Sequence, residues 1–227
     1  MLRRPLVSEL RRVIVLRHGR TTWNAERRFQ GQADAPLDDV GRSQAYEVAA
    51  IVAALRPSVL ISSDLQRALH TAAPIADLAG LPVISEPRLR ERSLGHWEGL
   101  TRDDVRTRFP DEFADWLASR DVSRRGGESR TQVAERALAV FRELPEVGVS
   151  VLVTHSATAM ALAAAVLGLP QDVHVISPLA NCHWTELVAE HGSDWRLKAH
   201  NVGAPGVIVP LPVAPETDIE DASDAEA

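Results

Sequence analysis

Val13-Ile14-Val15-Leu16 runs without a break into Arg17-His18-Gly19, and this junction constrains the fold more than any other stretch. Four consecutive apolar residues, three of them β-branched, read as a short strand buried on both faces, the kind found in parallel sheets covered by helices. In such sheets ligands bind beyond the carboxyl ends of the strands, which is where Arg17 and His18 fall. A guanidinium offers a planar fork of donors to an anion. An imidazole beside it can act as nucleophile or proton carrier. Gly19 lets the backbone turn tightly behind the ring.

The same grammar recurs down the chain. Val59-Leu60-Ile61-Ser62 is a second buried-strand candidate, and Val149 to Thr154 is a third, with His155 at its end. Leu81 to Ile84, His183 to Val188 and Trp195 to His200 are shorter candidates, the last two joined through a turn at Gly192. Helical periodicity separates them. One helix starts at Asp38 or Asp39 and runs to about Leu55, with Ala45, Val48, Ala49, Val52 and Leu55 on one face, and Pro57 ends it. Ser63 and Gln66 form a capping-box pattern for a second helix, which carries Arg67 in its first turn, contains Pro74 and stops near Ala79 before Gly80. Thr101 with Asp104, and Ser129 with Gln132, make two more such patterns. The first opens short helices to about Ser119, interrupted at Pro110, with Leu100 and Val105 placed as a hydrophobic staple; the second opens a helix to about Leu144. A further helix follows His155 to Leu167, while Thr21 to Pro36 and the charged stretch Arg88 to Trp97 read as irregular.

Strand–helix alternation predicts a three-layer α/β/α sandwich around a mostly parallel sheet. The segment from about 99 to 125 reads as a small helical cap. Residues 1–12 read as a basic leader, too interrupted by Ser8, Glu9, Arg11 and Arg12 for a signal peptide. Residues 13–205 read as one main domain, and 206–227 as a proline-rich, then acidic, disordered tail. A formal charge of −6 argues against a nucleic-acid partner. The most membrane-like stretch, Val151 to Leu169, is broken early by His155, Ser156 and Thr158, so no membrane partner is expected. The single cysteine, Cys182, excludes an internal disulfide and a multi-cysteine zinc site, and suits a reducing cytoplasm. Oligomeric state is open, a homodimer included.

Taken one at a time, Arg67 is a helix-surface charge, His155 a buried structural histidine and Glu91 a member of a surface ion pair worth little. The string Arg17-His18-Gly19-x-Thr21-x-x-Asn24, followed by Ser62-Ser63-Asp64-Leu65-Gln66-Arg67-Ala68, Leu89-Arg90-Glu91, Gly126-Gly127-Glu128-Ser129 and His155, resembles the histidine phosphatase (phosphoglycerate-mutase-like) superfamily from about Val13 to Val202. The resemblance implies that His18 is a nucleophile that becomes phosphorylated. It implies that Arg17, Asn24, Arg67 and His155 bind the phosphoryl group, with His155 also in the catalytic set, and that Glu91 is the proton donor. Gln30 and Gly31 fall in a substrate-contacting loop of the family. No metal or other cofactor is implied.

The chain departs in three places, one from the family as a whole and two from its mutases. Ser156 stands where the residue after the second histidine is commonly Gly. Leu94 stands where the cofactor-dependent mutases carry Tyr, and Arg124-Arg125 only partly echo their basic insertions. A phosphatase of a small phosphorylated metabolite therefore fits better than the alternatives, a cofactor-dependent phosphoglycerate mutase or a non-catalytic phosphate-binding regulatory module. Asn181 to Leu187, Trp195-Arg196-Leu197 and Phe29 to Gln32 are similar to the actinobacterial glucosyl-3-phosphoglycerate phosphatases within the superfamily. That similarity implies a phosphorylated glycerate bearing a sugar, with Gln30 bonding hydroxyls and Arg124 or Arg125 meeting a carboxylate. A broad phosphatase is the competing expectation.

Overall fold

The computed structural model describes residues 10–118, 120–172, 175–190 and 193–204. The acidic tail, most of the leader and the Gly192 turn lie outside these residues. A six-stranded sheet runs in the order β3-β2-β4-β1-β5-β6, with β1 Arg11–Arg17, β2 Val59–Ser62, β3 Val83–Ser85, β4 Gly148–Thr154, β5 Trp184–Ala189 and β6 Arg196–Val202. The first four pair in parallel, whereas β5 is antiparallel to both β1 and β6. The sheet is thus mostly parallel, and the reversed strand β5 is the feature that hydrophobic runs alone do not reveal.

Alternation along each strand builds two cores. Ile14, Leu16, Val151 and Val153 pack with α2 (Asp39–Ala54) and α3 (Gln66–Ala79) on one face. Val13, Val15, Leu152 and Leu187 pack with α6 (Arg130–Arg142) and α7 (Ser156–Val166) on the other. These side chains are essentially inaccessible to solvent, so shortening any of the Leu or Ile residues to Ala costs about 2–5 kcal/mol. Among the described residues no helix is long and apolar enough to cross a membrane.

The ends of several elements shift by one or two residues. β1 begins at Arg11, which pairs with Gly148 of β4 and Ala189 of β5, and Arg12 forms an ion pair with Glu186 on the neighbouring strand. A one-turn helix, α1 (Thr22–Ala25), lies inside the stretch read as loop. The capping boxes at Thr101 and Ser129 form, opening α4 (Arg102–Arg108) and α6; α5 (Pro110–Leu117) follows with proline in its first turn. The Ser63 capping box does not form. Leu65 occupies the N-cap position of α3 without a side-chain bond, and the Gln66 amide is taken by the Asp34 carboxylate at 3.0 Å and 3.1 Å. Ser63 is used elsewhere, as shown below. α4, α5 and the flanking turns enclose a small core of their own, in which Trp97, Val105 and Val122 are buried against Phe29, Leu100, Phe113 and Trp116.

β1 and β4 are adjacent and parallel, yet the chain leaves β1 toward the α2 face and β4 toward the α7 face. Divergence of this kind opens a crevice at the carboxyl ends of two strands. His18 follows one of these ends and His155 the other, and the His18 amide donates to the Thr154 carbonyl at 3.0 Å.

Candidate active site

His18 is 3 % exposed, and its Nδ1 lies 2.7 Å from the Gly19 carbonyl oxygen. A carbonyl only accepts, so Nδ1 carries the proton and Nε2 keeps its lone pair. Burial, followed by the charges of Arg67 and Arg17, holds the imidazole pKa well below its ordinary value of 6.5. The ring is therefore neutral at physiological pH, with a free nitrogen toward the pocket. The turn behind it is very close. The Gly19 amide donates to Thr71 Oγ1 at 3.0 Å, and a Cβ on Gly19 would sit 2.5 Å from the Gly41 carbonyl oxygen.

Two guanidiniums flank this ring. Arg17 donates through Nη1 to the Leu179 carbonyl, and its Nε is buried with no acceptor among the described residues. Burial brings its pKa down to about 10, which leaves it a cation at neutral pH. Arg67 is fully buried and fixed on three sides: Nη1 to the Ala33 carbonyl at 2.6 Å, Nη2 to the Gly31 carbonyl at 2.8 Å, and Nε to His155 Nδ1 at 3.2 Å. Gly31 is thus a backbone anchor for Arg67. It holds φ at +52°, and a Cβ there would overlap the Glu98 carboxylate.

Because Arg67 can only donate, His155 Nδ1 accepts, and Nε2 gives its proton to Ser63 Oγ at 2.9 Å. Burial and the neighbouring arginines keep this imidazole neutral as well. The two histidine rings are 5.0 Å apart and tilted. His155 is wholly buried and does not line the cavity; both its nitrogens are occupied, so contact with a phosphoryl oxygen requires one of these bonds to open. Ser63, which pattern reading assigns to a helix cap, is the missed member of this set.

Asn24 accepts through Oδ1 from the Thr21 amide and from Asn181 Nδ2, which leaves its own amide hydrogens for the cavity it lines. Asn181 Nδ2 also donates to the His18 carbonyl at 3.1 Å. Asn181 opens one of the stretches noted above, but nothing local gives it this role, since its partners lie about 160 residues away.

Glu91 is held at the start of α7. Its carboxylate accepts from the Thr158 amide at 3.2 Å, the Ala157 amide at 3.3 Å and the Arg92 amide at 2.8 Å. Amides of a helix's first turn are ready partners for a carboxylate. Ser156, the first residue of α7, presents a buried hydroxyl with no partner among the described residues.

These groups open into a cavity of about 440 Å³. Arg17, His18, Asn24, Arg67 and Glu91 share it with Ala157, Met160, Ala161 and Ala164 of α7. Phe29, Leu94 and Trp116 come from the cap and its approach, and Gln30 lines the cavity with a buried Oε1 that has no partner among the described residues. Of the two candidate cap arginines, Arg124 is exposed and paired with Asp115, whereas Arg125 is buried and lines the cavity. The site thus gathers a neutral nucleophilic imidazole, two fixed cations and a carboxylate on a helix terminus, an arrangement suited to transfer of an oxyanionic group.

A glucosyl-3-phosphoglycerate phosphatase of Mycolicibacterium vanbaalenii is 38 % identical over 216 residues, covering 86 % of this chain and 96 % of that protein. A probable phosphoglycerate mutase of Escherichia fergusonii is 38 % identical over 178 residues, covering 75 % and 81 %. The solved structure of a mycobacterial glucosyl-3-phosphoglycerate phosphatase with VO3 superposes with a TM-score of 0.77 at 36 % identity, over 85 % of this chain and all of that one. Residues 13–203 match the profile of the histidine phosphatase superfamily, branch 1. With that match running from β1 to just past β6, the chain belongs to the histidine phosphatase superfamily.

Proposed function

We propose that this protein hydrolyses the monoester of a small phosphorylated metabolite in two steps through a phosphohistidine on His18. Glu91 enters the first step in its acid form, having taken a proton from solvent; His18 Nε2 attacks phosphorus as the ester P–O bond breaks, and the departing oxygen takes that proton. In the second, Glu91, now a carboxylate, removes a proton from water as the water oxygen displaces Nε2 and inorganic phosphate forms. Arg17, Arg67 and the Asn24 amide neutralise the phosphoryl oxygens, where charge accumulates. His155 and Ser63 act by holding Arg67. The observation that carries this reading is the Nδ1 bond to the Gly19 carbonyl, which supplies the lone pair at Nε2 that attack requires.

Glucosyl-3-phosphoglycerate is the favoured substrate. It is supported by the named relatives and by a cavity that joins apolar walls to Gln30 and buried arginine. The test of mechanism is acid quenching during turnover, which should trap acid-labile, base-stable phosphate on the wild type. His18→Ala should lose turnover by a factor of at least ~1,000 while keeping its circular dichroism; wild-type turnover in that variant would refute the scheme. The test of substrate is kcat/KM across glucosyl-3-phosphoglycerate, 3-phosphoglycerate, sugar phosphates and p-nitrophenyl phosphate. A flat profile removes the specific assignment, and isomerisation of 3-phosphoglycerate without phosphate release points to a mutase.

A further inference from the structure

The stretch that carries Glu91 is held by side chains from distant parts of the chain. Each of four successive carbonyls, Arg88 to Glu91, accepts from one of them. Arg136 of α6 donates to the Arg88 carbonyl at 2.7 Å and to the Glu91 carbonyl at 3.1 Å. Thr154, the last residue of β4, donates to the Leu89 carbonyl at 2.7 Å. Thr158 of α7 donates to the Arg90 carbonyl at 2.8 Å. Gln32 Nε2 adds a second donor to the Glu91 carbonyl at 3.1 Å. The Gly126-Gly127-Glu128-Ser129 element enters here too, because the Glu128 carboxylate holds Arg136 at 2.8 Å and 3.0 Å and accepts from the Ser93 amide at 2.9 Å. Backbone fixed in this way to a strand and two helices holds a catalytic group to a narrow range of positions.

Thr158 differs from the other anchors in reaching the carboxylate as well as the backbone. Its Oγ1 lies 2.8 Å from the Arg90 carbonyl oxygen and 3.3 Å from Glu91 Oε1. The side chain is wholly buried and does not line the cavity, so it meets the reaction only through Glu91, which does. The two oxygens of Glu91 are served unequally. Oε1 faces the Arg92 amide at 2.8 Å, the Thr158 amide at 3.2 Å and the Thr158 hydroxyl. Among the described residues Oε2 faces the Ala157 amide, at 3.3 Å. Three donors fill the acceptor capacity of Oε1, and a proton placed there would meet hydrogens. Oε2 keeps a lone pair for one.

We propose that Thr158 is a positioning residue for proton transfer: its hydroxyl, anchored on the Arg90 carbonyl, completes the donor set on Glu91 Oε1 and so confines the exchangeable proton to Oε2. This rests on the phosphatase reading with Glu91 as proton donor, and it goes further by naming the oxygen that works and the residue that selects it. In the first step the Oε2–H bond breaks, its electron pair stays on Oε2, and the proton passes to the departing ester oxygen. In the second, Oε2 takes a proton from water. Thr158 neither loses nor gains one.

The experiment measures kcat/KM for glycerol 3-phosphate and for p-nitrophenyl phosphate. This quantity covers the steps up to phosphorylation of His18, in which only the alkyl ester needs the proton. In the full-length protein, Thr158→Val keeps the branching of the side chain and removes the hydroxyl. It should lower the alkyl-to-aryl ratio by about 5- to 50-fold, as expected when a catalytic group loses one anchoring hydrogen bond. Thr158→Ser, which returns the hydroxyl, should restore most of the ratio. In the Glu91→Gln background the ratio is already low, and Thr158→Val should lower it no further, since residues that act through one proton are not additive. An unchanged ratio in folded Thr158→Val, an equal loss on both esters, or a full further loss in the Glu91→Gln background each overturns the proposal. Thr158→Ala carries the same test if the valine variant does not fold. Equal losses on both esters in Glu91→Gln alone would remove the proton-donor reading and this proposal with it. A wild type that releases phosphate from neither ester would strike first at the phosphatase reading, and both inferences fall.

Discussion

The identity of the proton donor can be tested apart from the geometry that holds it. Glu91→Gln keeps the size of the side chain and an oxygen for the α7 amides, but it cannot deliver a proton. Turnover of alkyl phosphates should fall by about 100- to 10,000-fold, while p-nitrophenyl phosphate, whose leaving group departs unprotonated, should lose far less. Equal losses on both would make Glu91 a positioning residue. The residues of this site differ in how visible they are in a linear sequence. His18, Arg17 and Asn24 sit together in one short string, and Arg67, Glu91 and His155 each follow an apolar run or a recognisable tripeptide, so type and place coincide. Ser63, Asp34 and Asn181 were hidden for a common reason. Each is a small polar residue whose local pattern is satisfied by a cap, loop or turn, and whose actual partner is brought in by tertiary structure: His155, the start of α3, and Asn24.

At the scale of elements, the contact between the His18 turn and α2 is the least forgiving joint. Gly41 lies in the first turn of α2, where Ala would ordinarily gain about 1 kcal/mol through helix propensity. Here a Cβ would stand 1.9 Å from the Arg20 carbonyl oxygen, and backbone on both sides cannot yield without moving the catalytic turn. Overpacking of this sort costs about 1–3 kcal/mol or more, so the sign reverses. Gly41→Ala should lower the urea midpoint and reduce turnover together; a variant more stable than the wild type would show that the turn can shift freely. Strands β1 and β4 were legible because residues buried on both faces leave an uninterrupted apolar run, and β2 because its half-buried face, Val59 and Ile61, is apolar too. The edges were less so. β6 is largely exposed along its first half, and β5 carries Thr185 and Glu186 among its buried residues, so composition alone sets neither their bounds nor their direction.

For the whole molecule, the two buried neutral histidines make stability depend on pH in a defined sense. In the unfolded chain both titrate near 6.5; in the folded protein burial and the arginines hold both pKa values well below that. Above pH 6.5 the folded and unfolded states bind equal numbers of protons at these sites and there is no contribution. Below it the unfolded chain takes up protons that the native protein refuses, so stability falls as pH falls, by about 1.4 kcal/mol per pH unit for each histidine. Urea titrations at pH 7.5, 6.0 and 5.0 should show this decline, and His18→Ala should show about half the slope from this source. A midpoint that is flat from 7.5 to 5.0 would mean that the rings charge within the fold. The reversed strand β5 has a separate consequence. By turning back, the chain brings Leu179 and Asn181 to the edge where Arg17 and His18 stand, and these late residues carry the bonds that fix the early ones. During synthesis the nucleophile leaves the ribosome 163 residues ahead of Asn181, the last of its supports. Catalytic competence therefore arrives late, after both cores can close, and a nascent chain ending before Asn181 carries the motif without the means to hold it in place.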